Sequence, residues 1–238
     1  MSTLDTSGNA LVDDITARIR AMIMSGEIPI GAQLRQAELA SQFNISRTPI
    51  REALRQLQSG GLIEVVPNRG AIVRVPIPWE VREAYEVRAE LEALATERAV
   101  SRISRETIAS LREANARMWE HSRALADATA RGESPVAEGE GNDAFHELIL
   151  ATSGNARLAR AISEINEAFP RNVSSLVLMD DPRHREDNYQ EHERIIDALE
   201  AGDAKTARAE MSAHVLNAGE HLAHWYERRS RTILLDKR

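Results

Sequence analysis

Residues 34–70 constrain the fold of this chain more than any other stretch: LRQAELASQFNISRTPIREALRQLQSGGLIEVVPNRG. Apolar residues recur at helical spacing through Leu39, Ala40 and Phe43, and again through Ile50, Ala53, Leu54 and Leu57. Asn44-Ile45-Ser46 separates the two runs as a tight turn, with Ser46 placed to cap the second helix. That helix opens with Arg47, Thr48 and Arg51 on the side away from its apolar stripe, and Pro49 falls in its first turn, where a missing N–H is tolerated. Two short helices, a tight turn and a basic leading end on the second form a helix-turn-helix with a reader helix.

The flanks complete the unit. Leu11, Ile15, Ile19, Met22 and Ile23 predict a preceding helix over 11–25 that ends at Gly26. Gly60-Gly61 stops the reader helix. Two β-branched runs, 62–66 and 71–75, follow, joined by Pro67-Asn68-Arg69-Gly70. This pattern predicts a β-hairpin, a wing whose tip presents Asn68, Arg69 and Gly70 to a phosphate or a minor groove. Arg51 suits a guanine edge, because a guanidinium matches two acceptors on that base. Arg47 and Thr48 are placed for bases or phosphates, and Arg35 and Gln36 for the backbone contacts that set register. For any single arginine the competing reading is a solvated helix face.

Charge has to be read locally. The net charge is −7, yet residues 35–74 hold six arginines against Glu38, Glu52 and Glu64. Phosphate affinity follows the local field, so the acidic total does not exclude a duplex DNA partner.

Val75-Pro76-Ile77-Pro78 predicts a stiff connector. Beyond it the periodicity is helical throughout, with helices expected near 79–102, 105–130, 135–152, 155–179, 183–200 and 203–229. The expected organisation is a flexible tail (1–10), a winged helix-turn-helix (11–75), a linker (76–79), an all-α bundle (80–230) and a second tail (231–238). The fold class is therefore mainly α, with a hairpin wing on the first domain. With no cysteine, disulfides and thiolate metal sites are excluded. No secretory pattern and no membrane-length apolar run is present, so a cytoplasmic protein with no membrane partner is expected.

Ser46 to Leu54 (SRTPIREAL), followed by Leu57, Gly61-Leu62 and Pro67 to Gly70, resembles the winged-helix domain of GntR-type transcriptional regulators. The helical remainder is similar to the FCD effector domain of the FadR subfamily. The resemblance spans about residues 11–227. It implies a homodimer on a two-fold operator, with an effector domain that controls DNA binding.

Three histidines of the second domain lie on apolar helical stripes: His146, His192 and His214. Asn142 stands one turn before His146. Spacing alone leaves two readings open: separate core histidines, each satisfied by a local hydrogen bond, or three imidazoles sharing a divalent cation. That ligand set suits Zn²⁺, and also Ni²⁺, Fe²⁺ or Mn²⁺. The resemblance implies the second, since Asn142 to His146, Glu191-His192 and Ala213-His214 are similar to the metal-binding segments of FCD domains. Many of those have Asp where this chain has Asn142, which leaves the cation's charge uncompensated and points to an anionic effector, most simply a small carboxylate metabolite. Arg88, on the stripe of Val81, Ala84, Tyr85, Leu91 and Ala95, needs an anion: either Glu92 one turn on or a bound carboxylate. The resemblance puts Arg88 beside the effector cavity.

A repressor released or engaged by a metabolite is the leading expectation. A ligand-free DNA-binding scaffold and a metal-dependent enzyme fused to a DNA-binding domain are the alternatives. No general base stands out for the enzyme, because Glu147 and Glu191 adjoin histidines and are expected to face away from them. His121, His184, His221 and His224 are expected to be surface or structural, and Trp79, Trp119 and Trp225 packing anchors.

Overall fold

The computed structural model describes residues 5–67, 69–133 and 140–235. The chain parts into two compact units, the first made by the residues up to Val75 together with Glu167–Pro170, the second by the rest.

In the first unit, helix α1 (Asp5–Met24) precedes strand β1 (Gln33–Leu34), helix α2 (Gln36–Gln42), helix α3 (Arg47–Ser59) and strands β2 (Ile63–Val66) and β3 (Gly70–Val73). Ile15, Ile19 and Ile23 of α1 meet Ile50, Ala53, Leu54 and Leu57 of α3 in one core, closed by Leu62, Ile63 and Val73. Asn44 takes φ +54° between α2 and α3, a left-handed turn that asparagine tolerates better than most residues. The hairpin pairs Val66 with Gly70 and Ile63 with Val73. The two-residue β1 joins β3 on its other edge, which the sequence pattern did not foretell.

Two expectations are corrected here. Helix α1 starts at Asp5 rather than near residue 11, inside the stretch expected as a tail. Gly8 and Asn9 are weak helix formers and hid the continuation. Ser46 occupies the N-cap position of α3, but its hydroxyl makes no capping bond. A capping hydroxyl accepts from the second or third helical N–H, and the third residue here is Pro49, which has none.

The second unit contains α4 (Pro78–Ala99), α5 (Arg105–Ala130), α6 (Glu140–Ser153), α7 (Ala156–Asn166), α8 (Arg171–Asp180), α9 (Pro182–Glu200) and α10 (Ala204–Leu235). Pro78 starts α4, where the Glu80 carboxylate accepts the Ile77 N–H at 3.3 Å. Ser104 and Asp181 cap α5 and α9 by accepting backbone N–H groups. The single helix expected over 155–179 is two helices. Pro170 explains the break: it lacks an N–H, and its ring disfavours helical backbone at Phe169. Helix α10 runs past its expected end at 229. Trp225 is buried, but Trp79 is 54% exposed and is not the buried packing anchor expected.

Candidate nucleic-acid interface and metal centre

Burying Ile50, Ala53, Leu54 and Leu57 turns the opposite face of α3 outward. Arg47, Thr48 and Arg51 are exposed there, with Ser46 just ahead. Among the described residues, no ion pair holds Arg47 or Arg51. Arg55, farther along, pairs with Glu52 at 3.3 Å. Arg35 precedes α2 and touches Glu38 at 2.9 Å and Gln33 at 3.2 Å, while Gln36 is exposed. Gln33 also donates to the Arg69 carbonyl, which ties β1 to the hairpin tip. Arg69 is exposed, and Gly70 takes φ +75° with open space where a Cβ would stand, so the tip admits close backbone approach. Asn68 lies outside the described residues.

In the helical unit, α6, α9 and α10 bring His146, His192 and His214 together, all buried. The Nε2 atom of His214 lies 3.1 Å from that of His192 and 3.3 Å from that of His146. Two nitrogens each about 2.1 Å from one cation, at about 90–110° to each other, stand about 3.0–3.4 Å apart. Both separations from His214 therefore fit ligands of one divalent ion. The backbone of Asn142 belongs to α6, and its side chain is outside the described set.

Each ring is held from behind. The Nδ1 of His146 is bonded to Glu92, that of His192 to Asn115 Oδ1 at 3.0 Å, and that of His214 to Glu191 Oε2 at 2.8 Å. Phe145 stacks on the His192 ring at 3.8 Å and 8°. Glu191 thus corrects the expectation that it faces away; Glu147 is exposed, as expected. Sequence reasoning missed Glu92 and Asn115 as partners of histidines, because their contacts cross between helices.

Arg88 is buried, and its Nε donates to Glu92, with the guanidinium 4.8 Å from the Tyr85 ring centre. Of the two partners weighed for it, Glu92 is the one in contact. Burial works against the Glu92 charge, but Arg88 and His146 outweigh it and hold the carboxyl well below its usual range. Burial, then the neighbouring rings, pushes His192 far down; burial also lowers His214 against the pull of Glu191. Both are neutral imidazoles, the form that ligates. A cavity of about 30 Å³ adjoins the cluster, with Tyr85, Arg88, His146, His184, Asn188 and His214 in its lining. His184, expected to be surface or structural, is buried and stacked on His221 at 3.6 Å.

Together, a winged reader helix and an all-helical bundle define a DNA-binding regulator with a separate helical domain. The chain matches the bacterial gntR regulatory family over residues 11–73 and the FCD domain over residues 83–217, and it belongs to the GntR family of transcriptional regulators that carry an FCD domain. It is 30% identical over 193 residues to a probable D-xylose utilization operon transcriptional repressor of Paenarthrobacter nicotinovorans, covering 81% of this chain and 80% of that one. It is 27% identical over 210 residues to the HTH-type regulator YdhC of Bacillus subtilis, covering 88% and 90%. The fold is similar to that of E. coli McbR/YncC, with a TM-score of 0.68 and 21% identity over 91% of this chain and 98% of that one. The two sequence relatives carry the names of transcriptional regulators, not of enzymes. Among the described residues no helix is long and apolar enough to cross a membrane.

Proposed function

We propose that this regulator is a repressor that binds a two-fold operator as a homodimer, and that a divalent cation and a small carboxylate metabolite in the helical unit set its DNA affinity. One observation supports the reading: His146, His192 and His214 are buried together, and the Nε2 of His214 lies at ligand spacing from the Nε2 atoms of the other two. Zn²⁺ is the first choice for three nitrogen ligands, with Ni²⁺, Fe²⁺ or Mn²⁺ also suited. When bound, the cation supplies an electrophilic anchor for a carboxylate. His146 and His214 line the adjoining cavity with Arg88 at its wall, so a carboxylate there would meet both a cation held by these histidines and a guanidinium. Among the relatives, a gluconate operon repressor of Bacillus licheniformis (27% identical over 183 residues, covering 77% of this chain and 70% of that one) adds support for repression.

Arg47, Thr48 and Arg51 would read the major groove, Arg35 and Gln36 the phosphates, and the Asn68 to Gly70 tip the minor groove. A ligand shifts the DNA equilibrium only by its differential affinity for the bound and free states. The test is metal analysis of protein purified without chelator, then operator binding by fluorescence anisotropy with zinc and a panel of small carboxylates. A carboxylate that tightens zinc and changes operator affinity supports the reading. Identical zinc affinity with and without every carboxylate overturns the effector part. The pairing of Arg88 with Glu92 favours a second reading, a bundle that serves dimerisation alone. On that reading neither zinc nor chelator moves the melting temperature.

A further inference from the structure

We propose that Glu92, Asn115 and Glu191 are positioning residues that make ligands of the three histidines, each fixing the proton on Nδ1 so that every Nε2 lone pair points inward. This rests on the metal-site reading above, but it is carried by hydrogen-bond logic that holds in the metal-free protein.

Asn115 settles His192. Its Nδ2 donates to the Tyr189 carbonyl at 3.2 Å and to Glu193 Oε1 at 2.7 Å. Both partners are acceptors, so the amide has one orientation and its Oδ1 faces His192. An oxygen there only accepts, so His192 Nδ1 carries the proton. Flipping the amide would set its oxygen against two other acceptors. Glu193 is itself fixed by Arg112 at 2.6 Å, which also holds Asp197 and Glu200.

The other two rings follow from the bonding of their carboxyl partners. Glu92 takes the Arg88 Nε–H on one oxygen and faces His146 Nδ1 with the other. Glu191 takes the Asn217 amide on one oxygen at 2.9 Å and faces His214 Nδ1 with the other. Each carboxyl already takes a donor on its first oxygen, from the Arg88 guanidinium and the Asn217 amide respectively, and a carboxylate bonded in this way accepts on its second oxygen as well. Both rings must therefore donate from Nδ1. The close Nε2 contacts are then lone pair against lone pair, an arrangement unfavourable by itself and resolved by a cation between them.

The first readout needs no metal. Two-bond ¹⁵N–¹H NMR on chelator-treated protein at pH 7.5 is expected to show His146, His192 and His214 all as Nδ1–H tautomers. A predominant Nε2–H form of any one overturns the proposal. The second readout is Zn²⁺ affinity by competition with a chromogenic chelator. Asn115→Leu and Glu191→Leu are expected to weaken Zn²⁺ about 10–100-fold, while Glu191→Gln, which keeps an acceptor, stays within about threefold of wild type. Wild-type affinity in Glu191→Leu overturns the proposal even if Asn115→Leu fails to fold. Should the wild type bind no Zn²⁺ yet show all three Nδ1–H tautomers, the metal reading falls and the assignment of these residues stands.

Discussion

Arg51 sits on an exposed helix face without an ion pair among the described residues, so its guanidinium is available to a base edge. Arg51→Ala is expected to cost about 1–3 kcal/mol of operator discrimination, roughly 5- to 150-fold, and to relax selectivity at one base pair. Anisotropy titrations against the operator and single-base variants measure this; a uniform loss across all sequences would reassign Arg51 to the phosphates. His184 makes a second residue-scale prediction. Burial, then His221, lowers it from 6.5 to about 4. The unfolded chain therefore takes up this proton first as pH falls. Stability is full above about 6.5, declines between 6.5 and 4, and levels off below, a loss on the order of 3 kcal/mol. His184→Gln should flatten this part of the curve, measured as the difference in urea unfolding between pH 7.5 and 5. Equal pH slopes in the two proteins would count against it. At this scale the sequence marked the three histidines that cluster, because each falls on an apolar stripe. It hid their partners. Glu92 is a near neighbour of Arg88 in sequence but reaches His146 only across helices, and Glu191 looks turned away from His192 because its partner is His214 on α10.

Helices α4 and α10 meet closely where Gly219 faces Tyr85. A Cβ at 219 would stand 2.5 Å from Tyr85 Cβ and 2.7 Å from its Cγ, which are parts of the side chain that cannot swing aside. Alanine is the better helix former by about 1 kcal/mol. Overpacking costs about 1–3 kcal/mol. The clash involves three Tyr85 atoms inside contact distance, so the packing term wins and Gly219→Ala is expected to destabilise the helical unit. Denaturant unfolding checks the sign; a stabilised variant would mean that the helices separate without cost. Most elements were legible from periodicity and punctuation: α3 from its apolar stripe, the wing from Pro67 to Gly70. Strand β1 escaped because two residues carry no period and the pairing with β3 is tertiary. The break between α7 and α8 was legible in principle from Pro170, but the apolar pattern on either side masked it.

For the whole molecule, the proposed dimer makes operator geometry decisive. Two reader helices related by a two-fold axis fit half-sites about one helical turn apart, about 34 Å. Inserting about five base pairs between the half-sites turns one of them to the opposite face of the duplex while leaving every base contact intact. A dimer then engages one half-site at a time and loses the avidity of the second, about 10²–10⁴-fold. A monomer reading one half-site loses nothing. Sedimentation equilibrium alongside anisotropy on the native and lengthened operators separates the two, and equal affinities would remove the two-fold dimer from the mechanism. Linkage extends the test to the metal. If zinc changes operator affinity by some factor, the operator must change zinc affinity by the same factor. Zinc titrations with and without saturating operator therefore give an independent value for the same quantity. Agreement ties the histidine cluster to DNA binding, whereas operator-independent zinc affinity would leave the cation a structural element of the bundle.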